Sequence, residues 1–169
     1  MAYSREQALT LHKDYQENVK NWEYYIRSYN GGYDYSIGQY LNRYNLELDN
    51  EFNQRLANTP CDNHCKNIIQ IYSSFLFRVK ASRDFGNMQD EASLESFLKD
   101  ADLEGNSFTS VVKQAQNYAS IYGHCMLILD KPSIQTNTKA EEINQEIRPY
   151  ISIVTPENIF DWNFERQPN

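Results

Sequence analysis

Asp100, Asp102, Glu104 and Gly105 reproduce the first half of a calcium-binding loop, with acids at positions one, three and five and a turn glycine at six. The pattern then fails. The twelfth position, which should carry a bidentate glutamate, is Val111, and the normally apolar eighth is Ser107. The stretch therefore reads as a polar loop whose Asn106 or Ser107 caps the next helix. Cys61, His64, Cys65, His124 and Cys125 are side chains that zinc accepts, but Cys61 and Cys65 lie one helical turn apart on an apolar face and form no C-x-x-C pair. Free cysteine is among the most buried residue types, and His64 reads as a helix-surface or interface residue. Asp130, closing an apolar run, and Asp161 are carboxylates that a metal nuclease would pair. No Glu-x-Lys follows on a neighbouring strand, and Asp130 is placed to orient the Lys131-Pro132 turn. Phosphate-loop, dinucleotide and GxSxG fingerprints are absent. The expectation is a protein without catalytic, cofactor or metal site, and not an enzyme.

The elements that position these residues centre on Ser107–Pro132. Phe108, Val111, Val112, Ala115, Tyr118, Ala119 and Tyr122 recur at steps of three and four and predict a helix of ~4 turns. Gly123 is its C-cap, since glycine enters the left-handed conformation without a Cβ clash. His124–Asp130 is a short apolar run bounded by Gly123 and Pro132, predicting a buried, central strand covered by that helix.

Upstream, Ser4 and Gln7 have capping-box spacing, and Ala8, Leu11, Tyr15, Val19, Trp22, Ile26 and Tyr29 carry one stripe as far as Gly31-Gly32. This predicts a long amphipathic helix, broken near Asp14–Glu17, with a mobile beginning. Residues 30–47 read as a structured loop with one helical piece around Gln39–Tyr44. Asp49 or Asn50 starts a short helix bearing Phe52 and Leu56 and ending near Asn58. Thr59 and Pro60 match an N-cap and first helical position, and the helix they open presents Cys61, Cys65, Ile68, Ile69, Tyr72, Phe75, Leu76 and Val79 on one face. A further helix spans roughly Glu91–Lys99. Beyond the central unit, Ser133–Glu146 is a polar excursion, Arg148–Val154 a strand, Thr155–Asn158 a helical turn and Asp161–Arg166 a third strand. The fold class is α+β: a mostly helical N-terminal two-thirds packed on a small β-sheet in the C-terminal third. Residues 1–30 form an N-terminal helix or arm and 31–169 one domain, expected to be incomplete at its C-terminal end.

Composition narrows the function. The 169 residues hold 16 basic and 23 acidic side chains, a net charge of −7. Such a balance argues against tight, general binding to a phosphate backbone. Aromatics make up 14% of the chain, including 13 tyrosines, although mean hydropathy is only −0.74. That surplus points to order and to large buried or interfacial areas. An odd set of three cysteines speaks for a reducing compartment. The first residues lack the apolar core of a signal peptide, and no apolar run approaches the ~18–20 residues of a membrane span. A soluble intracellular or virion protein is expected.

Several segments, taken in order, resemble tailed-bacteriophage portal proteins, the ring-forming channel at the capsid vertex. The first is YYIRSYNGGYDY at 24–35, with Gly31 and Gly32. The second is Arg55, Pro60 and Asn63 ahead of the aromatic helix IIQIYSSFLF at 68–77. The third is the helix, Gly123, apolar strand, Asp130 and Pro132 of the central unit. The fourth is RPY at 148–150, with Pro149, followed by TPENIFDW at 155–162, with Trp162. The resemblance covers the chain from about Trp22 onward and corresponds to the N-terminal part of the outer wing domain.

What it implies is a homo-oligomeric ring, a dodecamer in the usual case, around a channel that passes double-stranded DNA during packaging and ejection. The implied partners are terminase, the head-to-tail connector proteins, and the major capsid and scaffold proteins; no membrane is involved, and the place is the virion, after assembly in the host cytoplasm. The channel stem and clip of portals are not in this sequence. Two other readings stand beside it: a small, complete α/β adaptor or scaffold-binding protein, and, least favoured, a metal nuclease using Asp130 and Asp161.

Overall fold

The computed structural model describes residues 10–59, 63–89, 91–133, 138, 141 and 147–163. Outside them lie the predicted Ser4–Gln7 capping box, Pro60 with Cys61 and Asp62, most of the Ser133–Glu146 excursion, and the end of the Asp161–Arg166 strand. The protein is α+β, largely helical with a small antiparallel sheet in its C-terminal part. The elements run α1 (Lys13–Asn30), α2 (Gly32–Ile37), α3 (Asp49–Asn58), α4 (His64–Leu76), α5 (Ala92–Lys99), α6 (Phe108–Tyr122), β1 (Met126–Asp130) and β2 (Tyr150–Val154), with 3-10 turns at Gly86–Met88 and Pro156–Asn158. The chain divides into two units: the described residues of Met1–Ile71 with Pro156–Asn169, and those of Tyr72–Thr155.

In the first unit, α1 starts at Lys13 and runs unbroken through the predicted Asp14–Glu17 interruption. Its start is set by His12, whose Nδ1 accepts the Asp14 N–H at 3.2 Å while its own backbone N–H donates to the Phe160 carbonyl at 2.9 Å. These bonds hold residue 12 outside the helix. Tyr15 and Trp22, two turns apart on one face, are buried and meet edge to face at 5.9 Å. Tyr15 also packs against Phe160 at 5.4 Å and donates its hydroxyl to the Glu157 carbonyl at 3.1 Å. The Pro156–Trp162 segment thus returns to the beginning of α1. Asp161–Trp162 form no strand; the Trp162 indole instead lies flat on the His12 ring, 4.0 Å away.

Short helix α2 occupies residues predicted as loop, and Gln39–Tyr44 is irregular where a helical piece was expected. Asp34 accepts the Asn30 side-chain amide at 2.9 Å, and Tyr35 packs on Tyr40 at 5.1 Å, so the turn forms earlier than the apolar spacing indicated. The limits of α3 follow from Glu51, which accepts the Leu48 N–H at 3.1 Å, and from Thr59, whose N–H and hydroxyl both donate to the Arg55 carbonyl. Thr59 therefore closes one helix rather than opening the next. The opening belongs to Asn63, whose Oδ1 accepts the Lys66 N–H at 3.0 Å in N-cap fashion.

In the second unit, the core is Ala101, Val111 and Ile151, with Phe97, Phe108 and Ile153 packed around them. Ser107 accepts the Ser110 N–H to start α6, and Gly123, at φ 88°, ends it by donating to the Ala119 carbonyl at 2.9 Å. Strand β1 pairs antiparallel with β2, Met126 opposite Val154 and Asp130 opposite Tyr150. The prediction of a buried, central β1 is corrected: all five of its residues are exposed. The described sheet has two strands, and α6 contributes Val111 to the core beside Ile151 of β2. The apolar run marks surface that needs a cover, which β2 alone does not supply.

Candidate functional site

The acidic loop that resembles a calcium site is closed by its own hydrogen bonds. Asp100 Oδ1 accepts the Gly105 N–H at 2.9 Å, and Asp102 accepts the backbone N–H groups of Glu104 and Asn106 at 3.0 and 3.1 Å and the Asn106 amide at 2.7 Å. Burial works to raise the Asp102 carboxyl, but those donors outweigh it and hold the group below the usual carboxylate range. Arg148 adds a fork, donating through Nη1 to the Asp100 carbonyl and through Nη2 to Oδ2 at 2.5 Å. Between these contacts Ala101 is fully buried, its N–H on Asn106 and its carbonyl on the Ile151 N–H of β2, both at 2.7 Å. The loop clasps the free edge of β2. Glu104 stays exposed.

His64, Cys65 and His124 are exposed, while Cys125 is half-buried and donates its thiol to the Ala115 carbonyl at 3.3 Å. Burial raises the Cys125 thiol above its ordinary value. Among the described residues, no group of three or more His, Cys, Asp or Glu side chains gathers as metal ligands would.

Asp130 accepts the Lys131 N–H through Oδ1 at 2.7 Å and the Tyr150 hydroxyl through Oδ2 at 3.3 Å. Both bonds orient the strand end ahead of Pro132. The negative charge of Asp130, then burial and the hydrogen bond, raise the Tyr150 phenol. Asp161 is exposed and belongs to the other unit. Pro132 is half-buried and Pro149 exposed, both beside the end of the strand pair where Asp130 faces Tyr150.

The remaining singled-out residues make tertiary contacts. Gly31 ends α1 at φ 67°, ψ −166°, a region almost confined to glycine, and its N–H donates to the Arg27 carbonyl at 2.8 Å. A Cβ there would sit 2.7 Å from the Asn63 amide nitrogen, which itself donates to the Tyr29 carbonyl at 2.5 Å. Gly32, at φ 55°, faces open space. Arg55 grips both carboxylate oxygens of Glu47 at 2.8 Å, donates to the Asn42 carbonyl, and lies 4.6 Å over the Tyr44 ring. These donors bring the Glu47 carboxyl down to about 2, the Arg55 hydrogen bond being the largest cause against an opposing contribution from burial. Arg148 and Glu47 were not singled out as partners in sequence, because their contacts lie 48 and 8 residues away with no periodic signal.

Two surfaces are unusually apolar. On α4, Ile68, Ile71, Tyr72, Phe75 and Leu76 are between 54% and 69% exposed. Ser73 is the buried residue of this helix, with Ile69 half-buried one turn before it. The second surface is β1, where Met126, Leu127, Ile128 and Leu129 are all exposed. Monomers seldom leave such runs uncovered. Among the described residues no helix is long and apolar enough to cross a membrane. In comparisons with known proteins, no family model and no curated protein matches this chain.

Proposed function

We propose that the chain is a structural subunit of a tailed-phage portal ring, corresponding to part of the wing. In this reading it takes part in the channel for double-stranded DNA, docks terminase and the head-to-tail connector, contacts capsid and scaffold proteins, and resides in the virion without acting as an enzyme. The observation that carries the proposal is how the four portal-like segments meet. Asn63 of the second segment bonds to Tyr29 beside Gly31 of the first, and Asp130 of the third bonds to Tyr150 of the fourth. Asn63, Tyr29, Asp130 and Tyr150 are thus contact residues of the fold, as in a family whose shared positions serve shape rather than chemistry.

Two further features support it. The exposed apolar faces of α4 and β1 fit a subunit that buries much of its surface against neighbours. The net charge of −7 fits a conduit along which DNA must slide, because dense Lys and Arg would hold phosphates through counterion release. Negative-stain electron microscopy of the purified chain tests the proposal: closed rings of one size are the expected result. A uniform population of compact single subunits would favour the adaptor reading instead, and magnesium- or manganese-dependent DNA cleavage would favour the nuclease.

A further inference from the structure

Resting on the ring reading, we propose that the outward face of α4 is the surface by which one copy docks onto a second copy, in a head-to-tail sense. Cys65, Ile68, Tyr72 and Phe75 follow steps of three, four and three, the spacing of a heptad seam, with Ile71 and Leu76 flanking it. All six are exposed on a helix that buries Ser73.

The area fits a subunit contact. Large side chains bury ~150–250 Å² when fully covered, so five of them more than half exposed offer roughly 600 Å². Val79, just beyond the helix, is 73% exposed as well. That area lies at the top of the ~300–600 Å² range of the largest patch on a monomer and below the ~800 Å² each partner gives to a standard interface.

Charge selects the occupant and the sense of docking. From Asn63 to Arg83 there is no Asp or Glu, while Lys66, Arg78, Lys80 and Arg83 are cationic. The Lys66 ammonium lies 5.8 Å from the Tyr29 ring, and Arg83 donates to the Thr109 hydroxyl at 3.2 Å. Two such helices face to face would oppose like charges in either orientation, which disfavours a two-fold α4–α4 contact. The rest of the chain is more acidic than the net −7 of the whole, so a second copy supplies the complementary surface away from its own α4. A contact between unlike patches is heterologous, the kind that generates rings when it closes.

The experiment is sedimentation velocity of the full chain over a wide concentration range, comparing wild type with Ile71→Glu/Phe75→Glu and with Leu127→Glu/Leu129→Glu on β1. The expected result is at least a tenfold weaker association for the α4 variant, with unchanged circular dichroism. A photo-cross-linking phenylalanine analogue in place of Tyr72 gives a readout independent of any loss of folding. It should trap a second copy at residues outside 63–83. Association lost only in the β1 variant, or cross-links that map within 63–83 of the second copy, would overturn this assignment while leaving a ring possible. Dimers or open filaments that depend on α4 would uphold the face and overturn the ring. A wild-type chain that stays monomeric throughout would overturn both.

Discussion

Arg148 reaches back 48 residues to hold Asp100 by two groups at once, the backbone carbonyl and the carboxylate. The guanidinium is 16% exposed and the carboxylate 31%, so the pair is shielded without being sealed. Replacing Arg148 with Ala removes two charge-assisted bonds that position the loop edge against β2. The expected cost is about 2–3 kcal/mol in a urea titration. Lys should recover less than half of it, because an ammonium cannot fork to both acceptors. An Ala variant as stable as wild type would show that the Asp102 bonds close the loop unaided.

Gly31 and Gly32 are adjacent in sequence and differ in what a side chain would meet. Gly31→Ala combines a glycine-only backbone region with a contact 2.7 Å from the Asn63 amide nitrogen, so it should cost about 2–3 kcal/mol and loosen the Asn63–Tyr29 bond. Gly32→Ala meets open space and should cost about 1 kcal/mol from its positive φ alone. Thermal unfolding of the two variants side by side checks the order; equal losses would contradict it.

Much of the helical layout was legible because caps are local. Ser107 and Gly123 bracket α6 within three or four residues of the groups they satisfy, and Asn58 ends α3 where the stripe stops. Less legible was anything decided at a distance. The start of α1 depends on His12 bonding to Phe160, and Thr59 was misread because the same residue types cap both ends of helices. Periodicity identified the apolar faces of α4 and β1 but carried no information about what covers them. The acidic loop looks like a cation site since the spacing of its acids is real; their use in local turn bonds, and the grip of distant Arg148 on Asp100, leave no mark in that spacing.

Glu47 gives a pH signature. Its carboxyl falls from an ordinary 4.5 to about 2 in the folded chain, chiefly through the Arg55 hydrogen bond. A depressed folded value means the stabilisation is complete above the unfolded value and is lost as pH falls toward the folded one. Wild type should therefore lose stability between about pH 4.5 and 2 on this account, and Glu47→Gln should flatten that part of the profile. Denaturation midpoints measured across the acid range decide it; parallel profiles for the two proteins would count against the Arg55–Glu47 grip.

Ser73 is 1% exposed, and its hydroxyl has no hydrogen-bond partner among the described residues. Removing an unsatisfied buried hydroxyl relieves its desolvation cost, so Ser73→Ala should leave stability unchanged or raise it by about 1 kcal/mol. A loss of more than 1 kcal/mol in chemical denaturation would mean that the hydroxyl is bonded.

A portal-ring subunit must assemble with itself. Size-exclusion chromatography with multi-angle light scattering, run on the purified protein at rising concentration, measures that directly. The prediction is one dominant species at a fixed multiple of the 19.9 kDa subunit, as a closed ring requires. A single species at the subunit mass throughout, with α4 and β1 exposed, would contradict it.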